Sequence, residues 1–317
     1  MTTSKDSSTN NSKKQSQKTV HAYTSDQLQR YLFDNKHARG ELVQLKQCYR
    51  AILTNHNYPQ GVKQLLGELI VATSLLTATL KFAGEISVQL QGNGPVGYMV
   101  VNSTMLSDDK NAENNNQQIR GIAKLSRSTT AIGLNNLIGK GNMVITIRPD
   151  KGEAYQGIVA LEQPTLAECL SHYFAVSEQI PTKIALFTDI DKELAAGCLL
   201  QLLPDGDDKE QQLADFEHLA QLTNTIKSDE IFTLPANELL YRLYHQEEVQ
   251  LYQPQAISYK CGCSAEKCLT AISQIEVNEI KSILTEQGKI SMTCEYCKTV
   301  YDFDEHKLSG LLNDKKH

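Results

Sequence analysis

Apolar residues between Val62 and Leu80 recur mostly at helical spacing. Val62, Leu65, Leu66, Leu69, Ile70, Leu76 and Leu80 define one long helix with a wide apolar face, as expected of a core helix. The period then changes to two: Ile86-Ser87-Val88-Gln89-Leu90 alternates, turns through Gly92-Asn93-Gly94-Pro95 and resumes at Tyr98-Met99-Val100-Val101, which predicts a β-hairpin. Residues 142–148 and 155–160 predict a second strand pair around Pro149-Asp150-Lys151-Gly152. Thr165-x-x-Glu168 is a capping box that opens a helix through about Gln179, where Pro181 stops it. Hairpins mixed with helices, without strict βαβ alternation, place residues 23–203 in the α+β class as one mixed sheet and helix domain.

After Leu203 the pattern changes. Pro204-Asp205-Gly206-Asp207-Asp208 is a polar break, and from there to Pro254 no strand pattern occurs. Leu213, Phe216, Leu219, Ala220 and Ile226 suit one amphipathic helix, and Leu239, Leu240, Leu243 and Tyr244, entered through Pro235, suit another. This stretch, 204–257, carries a net charge of −8, against +3 for residues 1–203 and −1 for 258–317, so the chain's −6 arises in the helical linker. Residues 1–22 are Ser, Thr, Asn, Gln and Lys with almost nothing apolar, which predicts a disordered tail.

At 317 residues the chain is long enough for about two domains and a substantial core, which excludes a minimal disulfide-stapled scaffold. Unbroken apolar runs such as Leu69-Ile70-Val71-Ala72 fall far short of the roughly 18 residues of a membrane span, so no membrane association is expected. The N-terminal residues lack the apolar core of a secretory signal, so the expected compartment is the cytoplasm, where thiols are reduced. The eight cysteines therefore call for a reason other than a disulfide framework.

Five of them lie in 258–317. Cys261-Gly262-Cys263 is followed, after thirty intervening residues, by Cys294-Glu295-Tyr296-Cys297. A Cys-x-x-Cys knuckle turns two thiolates toward one ion, and a distant second pair completes a tetrahedron; four soft ligands suit Zn²⁺, one per chain. Between the pairs Val277, Ile280, Ile283 and Leu284 predict a helix closed by Gly288, and residues 289–293 and 300–303 predict a hairpin around the knuckle. So small a segment with so little apolar material needs the metal to fold. Cys268, five residues after Cys263, is an alternative ligand in place of Cys261 that spacing does not exclude, although it sits at helical spacing with Leu269 and Ile272 as a packed thiol would. Cys48, Cys169 and Cys198 lie in apolar runs and read as buried thiols, and His306 reads as a surface residue opening a last short helix. A constitutive zinc clasp is the commonest role of such a quartet. The Cys-x-Cys pair argues otherwise, because without the metal its thiols can close only a small, strained and therefore labile ring.

Rival functions are weaker. Gly92-Asn93-Gly94-Pro95-Val96-Gly97 satisfies the dinucleotide-binding spacing, but a strand follows it where a helix is required. His245-x-Glu247 with a later Cys-x-x-Cys resembles a zinc deaminase signature, yet the Pro before the knuckle is missing and Cys261 and Cys263 are left over. No Walker motif or serine nucleophile elbow occurs, so no catalytic residue is assigned and the chain is not expected to be an enzyme. A constitutive zinc ribbon that binds nucleic acid is the main alternative; the near-neutral cysteine segment and its acidic neighbour oppose it.

Several motifs together resemble one family. These are Asp26-Gln27-Leu28-x-Arg30-Tyr31-Leu32-Phe33, Arg39-Gly40-Glu41-Leu42-Val43, the run from Val71 to Phe82, Asn114-Asn115-Asn116-Gln117-Gln118, Leu234-Pro235-Ala236-Asn237-Glu238 and the cysteine quartet. On these the chain is identified as a member of the redox-regulated bacterial heat-shock chaperones called the 33 kDa chaperonin family, over nearly its whole length after the tail. The resemblance implies an α+β substrate-binding domain (23–203), a helical linker (204–257) and a C-terminal zinc switch (258–317). It also implies that Cys261, Cys263, Cys294 and Cys297 hold zinc in a reduced, inactive state, and that oxidant with unfolding conditions releases the metal. The implied disulfides are Cys261–Cys263 and Cys294–Cys297. The implied activity is that of an ATP-independent holdase, a homodimer when active, whose partners are unfolding client proteins. The chain departs from the family pattern in its long polar N-terminus and its extra cysteines.

Overall fold

The computed structural model describes residues 26–80, 83–106, 116–204 and 208–313; the expected tail, 1–22, lies outside them. In chain order the elements are β1 (Gln27–Phe33), a 3-10 turn (Asp34–Lys36), β2 (Ala38–Leu45), α1 (Gln47–Thr54) and α2 (Gln60–Thr79). Then come β3 (Gly84–Gly92), β4 (Val96–Leu106), β5 (Asn116–Leu125), α3 (Leu134–Ile138), β6 (Gly141–Pro149), β7 (Tyr155–Ala160) and α4 (Leu166–Val176). They are followed by β8 (Thr182–Asp189), β9 (Leu194–Leu202), α5 (Lys209–Thr223), α6 (Ser228–Thr233), α7 (Ala236–Tyr244), β10 (Gln250–Leu251) and β11 (Gln255–Tyr259). The last are α8 (Ala265–Ile272), α9 (Val277–Gln287), β12 (Ile290–Thr293), β13 (Val300–Phe303) and α10 (Glu305–Asn313). The α+β class expected from the mixed periodicity is what is found.

Strands β1 to β11 form one sheet in the order β7-β6-β3-β4-β5-β11-β1-β2-β9-β8, with β10 paired to β1. Its two halves meet at β11, which pairs antiparallel with β1 (Gln27 opposite Ala256) and parallel with β5 (Ile257 opposite Gln117, Tyr259 opposite Ile119). β11 therefore runs across the segment boundary that composition places at 257.

Helix α2 packs under both halves. Leu66, Leu69 and Ile70 share one core with Val43, Leu45 and Leu199 on one side and with Val101, Ile119 and Ala123 on the other. By length and composition α2 is apolar enough to cross a membrane, but its most apolar window is 83% buried inside the protein. At its N-terminal neighbour α1, the Asp26 carboxylate accepts from the amides of Lys46 (2.6 Å), Gln47 (3.0 Å) and Cys48, capping a helix start that has no cap of its own. The capping box on α4 forms as expected, Thr165 Oγ1 accepting from Glu168 N and Glu168 accepting from Thr165 N.

On the opposite face of β1, β2 and β9 lies a second core. Tyr31, Phe33, Leu42, Cys198 and Leu200 from the sheet meet Phe216, Leu219, Phe232, Leu239 and Tyr244 from α5 to α7. The Tyr244 ring packs edge-on against Phe33 at 4.8 Å, and its hydroxyl lies 2.7 Å from Thr223 Oγ1. Gln44, fully buried, donates from Nε2 to the carbonyls of Ile231 (2.8 Å) and Leu234 (2.9 Å), which satisfies the C-terminal end of α6 from the sheet. The acidic helical segment is thus docked on the sheet by its apolar faces.

Three local expectations are corrected and a fourth is met. The helix begun by the capping box ends at Val176, before Gln179, whose φ of 56° is left-handed and breaks the helix ahead of Pro181. Ile226 follows α5 instead of ending it, buried in the turn to α6, while Leu213 on α5 is 44% exposed. A strand does occur between Pro204 and Pro254, but β10 is only two residues long, too short to carry a period. Gly92-Asn93-Gly94-Pro95 is a hairpin turn as expected, and a Cβ on Gly94 would sit 2.3 Å from the Leu137 carbonyl, so the turn needs glycine to pack on α3.

Leu239 is fully buried between α7 and the sheet, so Leu239→Ala should destabilise the chain by about 2–5 kcal/mol. The check is a denaturant midpoint with intrinsic tyrosine fluorescence, and hydrogen exchange should rise first in α5 to α7.

Candidate metal centre

The first cysteine pair leaves the sheet at once: Lys260 N donates to Ile119 O at 3.1 Å, and Cys261 is the next residue. Gly262 turns the chain with φ of +68°, a conformation that a side chain would strain, and its carbonyl accepts from Lys267 Nζ at 2.6 Å. Ser264 then caps α8 by accepting from Lys267 N.

The second pair sits at the tip of the β12–β13 hairpin. Cys294 N donates to Thr299 O and Lys298 N to Cys294 O, both at 2.9 Å, and Lys298 is left-handed at φ 58°. These bonds close a tight knuckle around Glu295 and Tyr296.

The fold brings Cys261, Cys263, Cys294 and Cys297 together, with all four Sγ atoms within 4.8 Å of one another. Cys261 Sγ is 3.4 Å from Cys294 Sγ, and Cys263 Sγ is 3.4 Å from Cys297 Sγ. An S–S bond is about 2.05 Å, so these are free thiols. A tetrahedral ion with metal–sulfur bonds of about 2.3 Å has sulfur–sulfur edges of about 3.8 Å, inside the observed range. The four residues are compatible with one metal ion.

Around them, Tyr301 Oη lies 3.1 Å from Cys263 Sγ and Thr299 Oγ1 3.2 Å from Cys297 Sγ. The thiols differ in acidity. Burial, then hydrogen bonding to neighbouring thiols, pushes Cys261 up, and burial also raises Cys263. Cys297 goes the other way: against the upward push of burial, hydrogen bonds from Thr299 and its neighbours bring it down to about 6. Glu295, hydrogen-bonded by Lys124 and then Tyr98, is held below the usual carboxylate range.

Cys268 stays outside the group. It lies on α8 against the small core of Ile272, Ile280, Ile290, Phe303 and Leu308, and is not among the four clustered sulfurs. His306 is exposed on α10. Cys48, Cys169 and Cys198 are buried, and burial raises all three, Cys198 to about 12. His245 and Glu247 do not converge on the cysteines: Glu247 pairs with Lys36 at 3.5 Å and His218 at 2.9 Å. Sequence reasoning did not find Tyr301, Thr299 or the sheet residue Arg120, which donates to the Cys261 carbonyl at 2.6 Å. Thr299 and Tyr301 had only their nearness to the knuckle as a signal, and Arg120 had none.

Fold and site together define a class: an α+β protein whose sheet carries docked acidic helices on one face and a four-cysteine, metal-compatible module at the end of a central strand. Residues 26–304 match the family model described as Hsp33 protein. The chain is 63% identical over 294 residues to the 33 kDa chaperonin of Colwellia psychrerythraea, covering 92% of this chain and 98% of that one. It is 52% identical over 292 residues to that of Shewanella woodyi, covering 92% and 97%. The crystal structure of the heat shock protein 33 homologue of Thermotoga maritima shares the fold, with a TM-score of 0.74 at 24% identity, covering 91% of this chain and 98% of that one. The chain belongs to the Hsp33 family.

Replacing Cys261, Cys263, Cys294 or Cys297 singly with Ser should leave the purified reduced protein with well under one bound metal per chain, while Cys268→Ser should keep the parent stoichiometry. Metal analysis after gel filtration with a chromophoric chelator decides it.

Proposed function

We propose that the chain is a redox-regulated, ATP-independent holdase with Cys261, Cys263, Cys294 and Cys297 as both zinc ligands and redox sensors. The observation that carries this reading is a juxtaposition. The four sulfurs lie within 4.8 Å of one another, the first pair of them follows directly on β11, and the helices docked over the apolar face of β1, β2 and β9 precede it. The working parts are the domain of 23–203, the linker of 204–257 and the zinc unit of 258–317, and the protein acts in the cytoplasm.

When bound, zinc supplies a folding constraint, at about 10–16 kcal/mol apparent, to a unit whose own core is small. The four thiolates give the site its softness, and oxidation removes the charge that holds the ion. Each pair of thiolates passes two electrons to one hydrogen peroxide; one S–S bond forms, the O–O bond breaks and two hydroxides leave. Two peroxides therefore convert the quartet to Cys261–Cys263 and Cys294–Cys297. That pairing is the one the family resemblance implies; in the reduced structure the close sulfur contacts run across it, Cys261 to Cys294 and Cys263 to Cys297, at 3.4 Å.

With the constraint gone the zinc unit unfolds and the helices of the linker lose their downstream anchor. Lifting them bares Tyr31, Phe33, Leu42, Leu194 and Leu200, a contiguous apolar surface of the kind that binds other exposed apolar surfaces. Unfolding client proteins supply such surfaces, and a second copy of the opened chain supplies one too, which accounts for a homodimer in the active state. The net charge of −6 keeps the loaded complex soluble. No bond in a client is made or broken, so no catalytic residue is needed.

Treating the reduced, zinc-loaded chain with peroxide at elevated temperature should release one zinc per chain, consume four thiols and abolish light scattering by a thermally unfolding client. Zinc release with undiminished scattering would defeat the holdase and leave only the switch. Salt-dependent binding of nucleic acid by the reduced protein would favour the zinc-ribbon alternative.

A further inference from the structure

The loop between Cys294 and Cys297 reaches the sheet domain. Glu295 Oε1 pairs with Lys124 Nζ at 3.1 Å, and its Oε2 accepts from Tyr98 Oη at 3.2 Å. The Tyr296 hydroxyl donates to Asn102 Oδ1 at 3.1 Å, and its carbonyl lies 2.8 Å from His56 Nε2. Arg120 engages both halves of the quartet: its guanidinium stands 4.7 Å from the centroid of the Tyr296 ring, and it donates to the Cys261 carbonyl.

Strand alternation puts these partners on one surface. Ile119 and Ala123 on β5 enter the α2 core, so Arg120 and Lys124 project from the other face, and on β4 the same holds for Tyr98 and Asn102 relative to Met99 and Val101. The apolar core of the zinc unit draws its described members from Cys268 onward and includes no residue of the sheet domain. Among the described residues, and beyond the covalent link through β11, these polar and cation–π contacts attach the unit.

We propose that Glu295 and Tyr296 form a latch that docks the cysteine unit on β4 and β5, with Arg120 as a positioning residue that holds both cysteine pairs against the sheet domain. The latch lies inside the Cys-x-x-Cys loop, so a change in that loop's path breaks it. Conversely, the docked latch fixes the path that lets the four sulfurs converge. Docking and metal retention are therefore one equilibrium read at two places. The docking stands on the contacts alone; its consequence, that the latch sets the oxidant threshold for opening, rests on the function proposed above.

The test uses the full-length, reduced, zinc-loaded chain and its variants Lys124→Glu, Glu295→Lys, the two combined, Arg120→Ala and Arg120→Lys. Two quantities are read: amide hydrogen exchange in 294–299 and 116–125, and the rate at which a chelator removes zinc. Each single reversal and Arg120→Ala should speed zinc removal about threefold or more and raise exchange in both segments. The combined reversal should return both readouts to within about 1.5-fold of the parent. Arg120→Lys keeps the charge without the planar stack and should fall between the parent and Arg120→Ala. Single reversals that match the parent, or a combined variant no better than the singles, would overturn the latch. The charge swap removes no packing, so a poorly folded Arg120→Ala does not obscure the result. Client aggregation is not read, so failure of the holdase reading would leave this outcome distinct.

Discussion

A five-residue strand closes the gap between two half-sheets, and the metal-compatible quartet begins two residues after it ends. β11 meets β1 at Leu28 and Gln27 and β5 at Gln117, Gln118 and Ile119, and Ile257 fills the shared core beneath. Because β11 is paired on both sides, the carbonyl and amide of Cys261 start from a fixed place and direction. The second pair has no such anchor in the sheet; it is carried on a hairpin and must be brought to the first. This asymmetry makes the position of β11 the constraint on which the site depends, and the one through which a change at the site is felt by the sheet and by the helices before it.

The sheet faces are used unequally. One face packs on α2 and its neighbours across both halves and forms the permanent core. The other is covered on the β1–β2–β9 half by α5 to α7 and on the β4–β5 half by the cysteine loop. These two covers differ in kind: the helices hold by apolar burial, the loop by hydrogen bonds, an ion pair and a ring stacked on a guanidinium. A polar cover can come off without exposing apolar surface. The helices cannot: lifting them would bare the apolar face of β1, β2 and β9.

Local periodicity made much of this legible. α2, the β3–β4 and β6–β7 pairs, the α4 capping box, and α9 closed by left-handed Gly288 all have signals within a few residues of each other. β9 had none, because Leu194-Ala195-Ala196-Gly197-Cys198-Leu199-Leu200 is buried on both faces and loses the alternation that marks a strand with one wet side. The pairing of β11 with β5 links residues 140 apart, and the Arg120 bond to Cys261 spans 141. No spacing rule reaches that far. The quartet was readable because a metal demands a fixed donor type at short spacings, whereas the residues that aim the donors answer only to the sheet.

Relative magnitudes decide what can open the structure. The ionic contacts of the linker, Lys36 with Asp215 at 3.1 Å and with Glu247 at 3.5 Å, are the kind that contribute about 0–1 kcal/mol each and weaken in salt. Against them stand ten buried apolar residues among the described residues of the linker, including Phe216, Phe232 and Leu239, at about 1.5–3 kcal/mol for each large side chain before the cost of ordering. The helices are therefore held by apolar burial, and loss of the cysteine unit would remove none of it. What that loss would remove is the tether at their C-terminal end, leaving the helices free to open locally without being driven to do so. Opening then requires conditions that erode apolar packing or raise the entropy term, such as heat, and these are the conditions under which other proteins unfold. On the function proposed above, an oxidant alone would leave the surface masked and heat alone would leave the tether in place, so opening would require both.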